Sequence, residues 1–300
     1  MKPEISVILA YFEGQRWLPR AIQCVQAQDR PSWELVIVDD GSKQSPASLI
    51  YSINDERIRL IRIAHAGKGA ALNVGINAAR AEIICFLDQD DVMLPGRLQL
   101  QLGAFARKPE PDVVYSDYER VSEDGKLIDQ FISYQASSQK CLHNLTRGIS
   151  PICMQTIMIK KDTILKLGGF CDDPKLAGLD DSEFLIRLFL SEPILTYQPG
   201  FVQQWVEHGN NCSKSAQFQE GRLILLDYLS KLARKHSLLR KELPYIHFHV
   251  YYSRGLYCLE NRIPNRAWLE FLMAIRHKPL AWQGYYLFLK SLIFQLIFLR

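Results

Sequence analysis

Short apolar runs alternate with stretches of helical period over the first 120 or so residues, and this alternation predicts the fold class. Residues 5–10, 34–38, 58–63, 83–87 and 113–116 read as strands, with helices expected between them at 19–27, 47–53, 69–79 and 95–106. A run with no polar break, such as Ile83-Ile84-Cys85-Phe86-Leu87, belongs to a strand covered on both faces. Strand and helix in repeated order specify an α/β fold with a mostly parallel, right-handed, doubly wound sheet. Gly41, Pro46 and Pro95 mark the turns into helices. At Glu123-Asp124-Gly125-Lys126 the pattern becomes a hairpin signal, Asp-Gly between alternating runs.

Past residue 150 the reading is mixed. Residues 153–159 look like a strand, 162–167 a short helix stopped by Gly168-Gly169, and 180–190 a helix that buries Phe184, Leu185, Leu188 and Phe189. Trp205-Val206 precedes a polar turn, Glu207-His208-Gly209-Asn210-Asn211. From about 217 the chain reads helical, with breaks at Pro244, Pro264 and Pro279. The expected division is a sheet-bearing domain at 1–215 and a helical extension at 216–300. In the last stretch, 280–299, Lys290 is the only charge, and it shares a helical face with Gln283, interrupted by Leu287 and Phe294. Trp282, Tyr285 and Tyr286 suit a helix lying in a membrane interface; the other reading is a buried helix closing the globule or a homodimer.

Composition changes the picture in two ways. At 300 residues and 48% hydrophobic, the chain can bury a large core, and its seven cysteines, an odd number without a CxxC pair, exclude a disulfide framework or a structural zinc site. Met1-Lys2-Pro3-Glu4 leads straight into strand-like residues, with no secretory signal, so a reducing cytoplasm is expected. The net charge of +4 is unevenly spread: residues 216–300 hold 13 Lys/Arg against 5 Asp/Glu, or +8, leaving −4 for residues 1–215. A basic, aromatic-rich extension points to peripheral contact with anionic lipid at the inner face of a membrane rather than to nucleic acid. The alternative is a solvated basic face.

Asp88-Gln89-Asp90-Asp91 follows the most apolar strand directly. It delivers three carboxylates to the carboxyl edge of the sheet, where open α/β sheets bind ligands. Packed like charges call for a cation, and hard divalent cations take oxygen ligands and bridge phosphates, so this cluster reads as a metal-dependent diphosphate site. A second strand ends in Asp39-Asp40-Gly41-Ser42; its carboxylates can accept from a base or ribose, or simply cap the next helix. Gly67-Lys68-Gly69 opens a helix and offers N–H groups and one cation to an anion, although it matches no phosphate-loop pattern. Asp180-Asp181-Ser182-Glu183 opens another helix, where a carboxylate can act as a base or merely complement the helix dipole. His208 is either a cation ligand or a structural histidine.

In order and spacing these segments resemble the family 2 glycosyltransferases of GT-A fold over about residues 4–213, with Gly168-Gly169-Phe170 and Arg187 completing the set. The resemblance implies a Rossmann-like domain with an inverting, single-displacement transfer from a UDP-, dTDP- or GDP-linked sugar. Ala10, Phe12, Asp40, Lys68, Asn73, Asp88 and Gln89 would contact the nucleotide sugar, with Asp40 on the base and Asp88 or Gln89 near the ribose. Asp90 and His208 would hold Mg²⁺ or Mn²⁺ against the diphosphate, and Asp181 would be the general base.

The chain departs from the family pattern in places. Leu72-Asn73 replaces a common Arg-Asn, which shifts diphosphate contact to Lys68; Asp180-Asp181 replaces Glu-Asp, which makes Glu183 a fallback base; and Val206 stands where an Arg is common. Gln203-Gln204-Trp205-Val206 is not the QxxRW motif of processive synthases, so transfer of one sugar to a surface-glycan or lipid-linked acceptor is expected. Specificity is expected to lie in loops around 131–147 and 170–179. A sugar-phosphate nucleotidyltransferase would need a Gly-rich basic loop after the first strand, which Ala10-Tyr11-Phe12-Glu13-Gly14 is not. A nucleotide-sugar-binding protein without turnover is the non-enzymatic alternative.

Overall fold

The computed structural model describes residues 2–30, 32–149, 152–176, 178–279, 281 and 285–289. The alternating first part forms β1 (Ile5–Tyr11), α1 (Leu18–Gln26), β2 (Trp33–Asp39), α2 (Ala47–Ile53), β3 (Ile58–Arg62), α3 (Lys68–Ala78) and β4 (Ile83–Phe86). Then come β5 (Val92–Met93), α4 (Arg97–Ala104), β6 (Val113–Ser122), β7 (Leu127–Phe131), α5 (Ser138–Leu145), β8 (Met158–Lys160), α6 (Lys161–Lys166), α7 (Asp180–Leu190) and β9 (Leu195–Glu207). Three helices follow: α8 (Ala216–Leu232), α9 (Ser237–Glu260) and α10 (Pro264–His277).

One sheet runs in the order β3-β2-β1-β4-β8-β6-β9-β5, with β7 paired to β6. β3, β2, β1, β4, β6 and β9 point the same way, whereas β8, β5 and β7 are antiparallel to their neighbours. The sheet is therefore mixed and mostly parallel, as expected for GT-A. Order reverses between β1 and β4, the kind of switch point that opens a crevice at the carboxyl edge. Phe12, Asp40, Asp88 and His208 each follow the carboxyl end of a parallel strand, so they meet at one edge.

β1 and β2 are buried almost throughout, because helices cover both faces. One apolar cluster gathers Ile5, Leu9 and Ile37 with Leu18 and Ile22 of α1. The other, around Ile8, Val36 and Phe184, continues into Leu225, Leu229 and Ile246 of α8 and α9. α8 begins at Ala216, where the helical extension was expected to start.

Several expectations need correction. The strand placed at 153–159 is a 3₁₀ turn, Met154–Thr156, followed by the short β8. The break at Pro244 does not occur: α9 runs through it. A proline in a helix interior costs about 3 kcal/mol, which the core contacts of Leu239, Ile246 and Val250 outweigh. Trp282, Gln283, Lys290 and Phe294 of the expected interfacial helix lie outside the described residues. Of its remainder, Leu287 and Phe288 pack near Phe271, while Tyr285 and Tyr286 are exposed. No helix among the described residues is long and apolar enough to cross a membrane.

Candidate active site

Two adjoining cavities of about 490 and 700 Å³ lie at the carboxyl edge of the sheet and share Phe12, Lys68, Asp88 and Asp90. Ala10, Asp40, Gln89 and His208 line the smaller; Asp180, Asp181 and Gln155 line the larger. Among the expected site residues, Asn73 lines neither. Its carboxamide is turned to Phe170, with Nδ2 donating to the Phe170 carbonyl at 2.9 Å and Oδ1 accepting the Phe170 N–H at 2.8 Å. Asn73 thus clamps α3 to the Gly168-Gly169 turn and does not face the donor cavities.

Asp40 is committed to the loop before α3. Its two oxygens accept the N–H groups of Ala66 (2.8 Å) and Gly67 (2.9 Å), and His65 Nδ1 lies 2.9 Å away. Gly41 makes this fold-back possible: its φ is +73°, and a Cβ there would press on the His65 backbone. His65 in turn stacks on Phe12, ring centroids 4.3 Å apart. Gln89 pairs with the Phe12 backbone, accepting its N–H at 3.0 Å and donating to its carbonyl at 3.1 Å. Asp40 and Gln89 therefore shape the walls that present the Phe12–His65 stack.

Lys68, the first residue of α3, bridges two acidic segments. Its ammonium is 3.0 Å from Asp88 and 3.4 Å from Asp181. Gln155 Nε2 donates to the same pair, at 2.5 and 3.4 Å, and is oriented by the Cys153 thiol donating to its Oε1 at 2.9 Å. The sequence carries no signal for Gln155, because its turn is read as strand. Gly69 lets the 171–173 loop close over this point, since a methyl there would overlap the Cys171 carbonyl oxygen.

Charge is unbalanced around this bridge. Burial, helped by Asp180 and Asp88 and opposed by Lys68, pushes the Asp181 carboxyl up to about 7. Burial and Asp90 hold Asp91 well above the carboxylate range, and burial raises the Asp180 pKa, opposed by Lys68. Burial works to lower the Lys68 pKa, but Asp181, Asp88 and Asp180 outweigh it and keep the ammonium charged. Among the described residues, Asp91 Oδ2, Asp180 Oδ2 and Asp181 Oδ1 are buried without a hydrogen-bond partner. Glu183 is not part of this site. It is fully buried and forms a two-point ion pair with Arg187 at 2.5 and 2.6 Å, which removes it as an alternative base.

Asp90 and His208 approach each other, Oδ2 to Nε2 at 3.0 Å. Trp17 stacks on the His208 ring at 4.7 Å, and the Asn210 N–H donates to Nδ1 at 3.2 Å, so the ring proton faces Asp90. Burial and Asp88 raise the Asp90 pKa, partly offset by His208. No cluster of three or more metal-ligating side chains occurs among the described residues. One carboxylate and one imidazole amid surplus negative charge nonetheless fit a divalent cation whose other ligands come from a diphosphate and water. Taking such a cation on Nε2 requires the exposed Asn210 amide to turn away from Nδ1.

Residues 6–167 match the family model described as Glycosyl transferase family 2. The chain belongs to that family. Among curated relatives, an uncharacterized glycosyltransferase of Nostoc sp. is 34% identical over 156 residues, covering 51% of this chain and 46% of the relative. The succinoglycan biosynthesis protein ExoO of Rhizobium meliloti is 33% identical over 130 residues, covering 43% and 37%. The chain thus spans less than half the length of these relatives. Among solved structures, Staphylococcus aureus TarS 1–349 in complex with UDP-GlcNAc has a TM-score of 0.63 at 16% identity, covering 96% of this chain and 89% of that one. The mannosyltransferase PcManGT of Pyrobaculum calidifontis, in complex with GDP-Man and Mn²⁺, has a TM-score of 0.59 at 17% identity, covering 96% and 81%. These two share the fold of this chain.

Proposed function

We propose that this cleft transfers one sugar from a nucleoside-diphosphate sugar to a hydroxyl acceptor of a growing glycan, with inversion. The observation that carries the reading is the Asp181 carboxyl, held near pH 7 in the cavity that also contains Asp88 and Asp90. A base poised near neutrality takes a hydroxyl proton most effectively. Asp181 removes the proton of the acceptor hydroxyl while the acceptor oxygen attacks the anomeric carbon from the side opposite the diphosphate. The glycosidic C–O bond to the diphosphate breaks, and the electron pair leaves with the nucleoside diphosphate.

Lys68 and Gln155 steady Asp88 and Asp181, while the Phe12–His65 stack offers a flat apolar wall to the nucleotide. Asp90 and His208 are the residues that would hold Mg²⁺ or Mn²⁺, which neutralises charge on the leaving diphosphate. Complexes of the structural neighbours with UDP-GlcNAc, and with GDP-Man and Mn²⁺, support this reading of donor and metal. The Rhizobium relative's part in succinoglycan synthesis supports a glycan acceptor. In this reading residues 1–215 carry the chemistry, and the basic surplus of residues 216–300 supports action at the inner face of a membrane.

The test is thermal unfolding with UDP-, GDP- and dTDP-sugars, with and without Mn²⁺, since a ligand of the folded state raises apparent stability. At least one donor should raise the melting temperature more with Mn²⁺ than without. That increment should vanish in Asp90→Asn and His208→Ala. No shift with any donor would overturn the proposal.

A further inference from the structure

The larger cavity has features that the transfer chemistry leaves unused. Its lining includes the rings of Tyr118 and Trp205 and the carboxylates of Asp172, Asp173 and Asp180. β6 and β9 pair in parallel, Tyr118 opposite Gln203 and Arg120 opposite Trp205, so the two rings stand on adjacent strands two residues out of step. Phe131 of β7 stacks flat on Tyr118, with centroids 4.5 Å and planes 5° apart, and stiffens that ring. The Arg120 guanidinium lies 5.9 Å from the Trp205 ring centre and is itself tied to Asp129 at 2.6 Å. Both rings are half-buried.

Asp180 is 3% exposed and lines the cavity, yet its Oδ2 has no hydrogen-bond partner among the described residues. A buried, unmet acceptor costs stability unless a ligand donates to it. Aromatic faces beside an unmet carboxyl oxygen match a pyranose, whose C–H faces pack on rings and whose hydroxyls donate to carboxyl oxygens.

Charge narrows the class further. Asp172, Asp173, Asp180 and Asp181 all line this space, and Lys68 is already engaged by Asp88 and Asp181. A uronate or phosphate brought among these carboxylates is repelled, whereas a neutral or amine-bearing ring is not. We propose that Tyr118, Trp205 and Asp180 form an acceptor subsite that selects an uncharged or amine-bearing hexopyranose over an anionic one. This rests on the transfer reading above.

The test is saturation-transfer NMR on the full chain loaded with Mg²⁺ and whichever of UDP, GDP or dTDP raises the melting temperature most. The probes are methyl glucoside, galactoside, mannoside and N-acetylglucosaminide, methyl glucosaminide, and methyl glucuronide. At least one neutral or amino glycoside should show contact through its ring C–H protons, and the glucuronide none. Tyr118→Ala and Trp205→Ala should each weaken that contact about tenfold, the upper range of a lost ring contact. Tyr118→Phe and Trp205→Phe should keep it, and they carry the test should an alanine variant misfold. Asp180→Asn should weaken binding of the neutral ring and reduce discrimination against the glucuronide.

Equal contact by the glucuronide, no effect of removing either ring, or no contact by any glycoside overturns the subsite. Failure of all three nucleotides to bind the native protein would instead overturn the transfer reading itself.

Discussion

Lys68 is the point at which charge, geometry and catalysis meet, so its replacement gives the sharpest test. Its ammonium lies 3.4 Å from Asp181 Oδ2, and the two side chains are 30% and 23% exposed. At that distance Coulomb attraction is about 1 kcal/mol at the dielectric of water and about 5 kcal/mol at an effective value of 20. Removing it raises the Asp181 pKa by at least about one unit at the screened limit. Losing the contact to Asp88 acts in the same direction, because an uncompensated neighbouring carboxylate further disfavours ionisation. Activity needs the ionised base, so the rate should climb as pH rises through about 7 in the native protein.

In Lys68→Met the rising limb should move upward by at least about one unit, and Lys68→Arg should restore its position by restoring the charge. The assay is the initial rate of nucleoside diphosphate release from about pH 6 to about pH 9 at saturating metal. Height is not the criterion, because Lys68 also faces the donor cavity and its loss lowers turnover at every pH. A limb that stays in place in Lys68→Met, or moves downward, refutes the coupling of Lys68 to Asp181.

Three further outcomes follow from the same structure. Asp181 keeps its proton to about 7 when folded, against about 3.9 in an unfolded chain, so between these values the folded state binds more protons and stability falls as pH rises. Asp181→Asn should therefore abolish transfer yet gain about 1–2 kcal/mol at pH 8, a figure reduced for the side chain's 23% exposure, with the gain closing near pH 4 in urea melts. Asn73→Ala should cost about 1–3 kcal/mol through the two lost bonds to Phe170 while nucleotide affinity by calorimetry stays native. Glu183→Gln should cost about 3–5 kcal/mol by breaking a buried ion pair, and the pH profile of the surviving folded enzyme should not move.

The alternating half of the chain was legible because most of its strands are covered on both faces: β1, β2 and β4 are apolar enough to stand out, and Gly or Pro marks the turns. β9 was not, because its 13 residues include Gln198, Pro199, Gly200, Gln203 and Gln204 and show no clean period. Gln203 is buried there against Arg97, whose guanidinium donates to its Oε1 at 2.8 Å, so tertiary hydrogen bonds hold a strand that hydropathy does not announce. Pro244 misled in the opposite direction, for local propensity gave way to packing.

The sequence by itself determined which chemical groups reach the carboxyl edge. A residue's place at the end of a buried strand depends on local pattern alone, so Asp88, Asp90 and the Asp39-Asp40 pair could be assigned to one mouth before any contact was known. Only the tertiary structure decided how those groups are used, because hydrogen bonds and desolvation depend on neighbours far away in the chain. It turned Asn73 to Phe170, closed Glu183 onto Arg187, brought Gln155 to Asp88 and Asp181, and left Asp180 Oδ2 without a hydrogen-bond partner among the described residues. Ionisation followed from the same cause: the carboxyl of Asp181 rises to about 7 through burial among charges contributed by α3, the loop after β4 and its own helix.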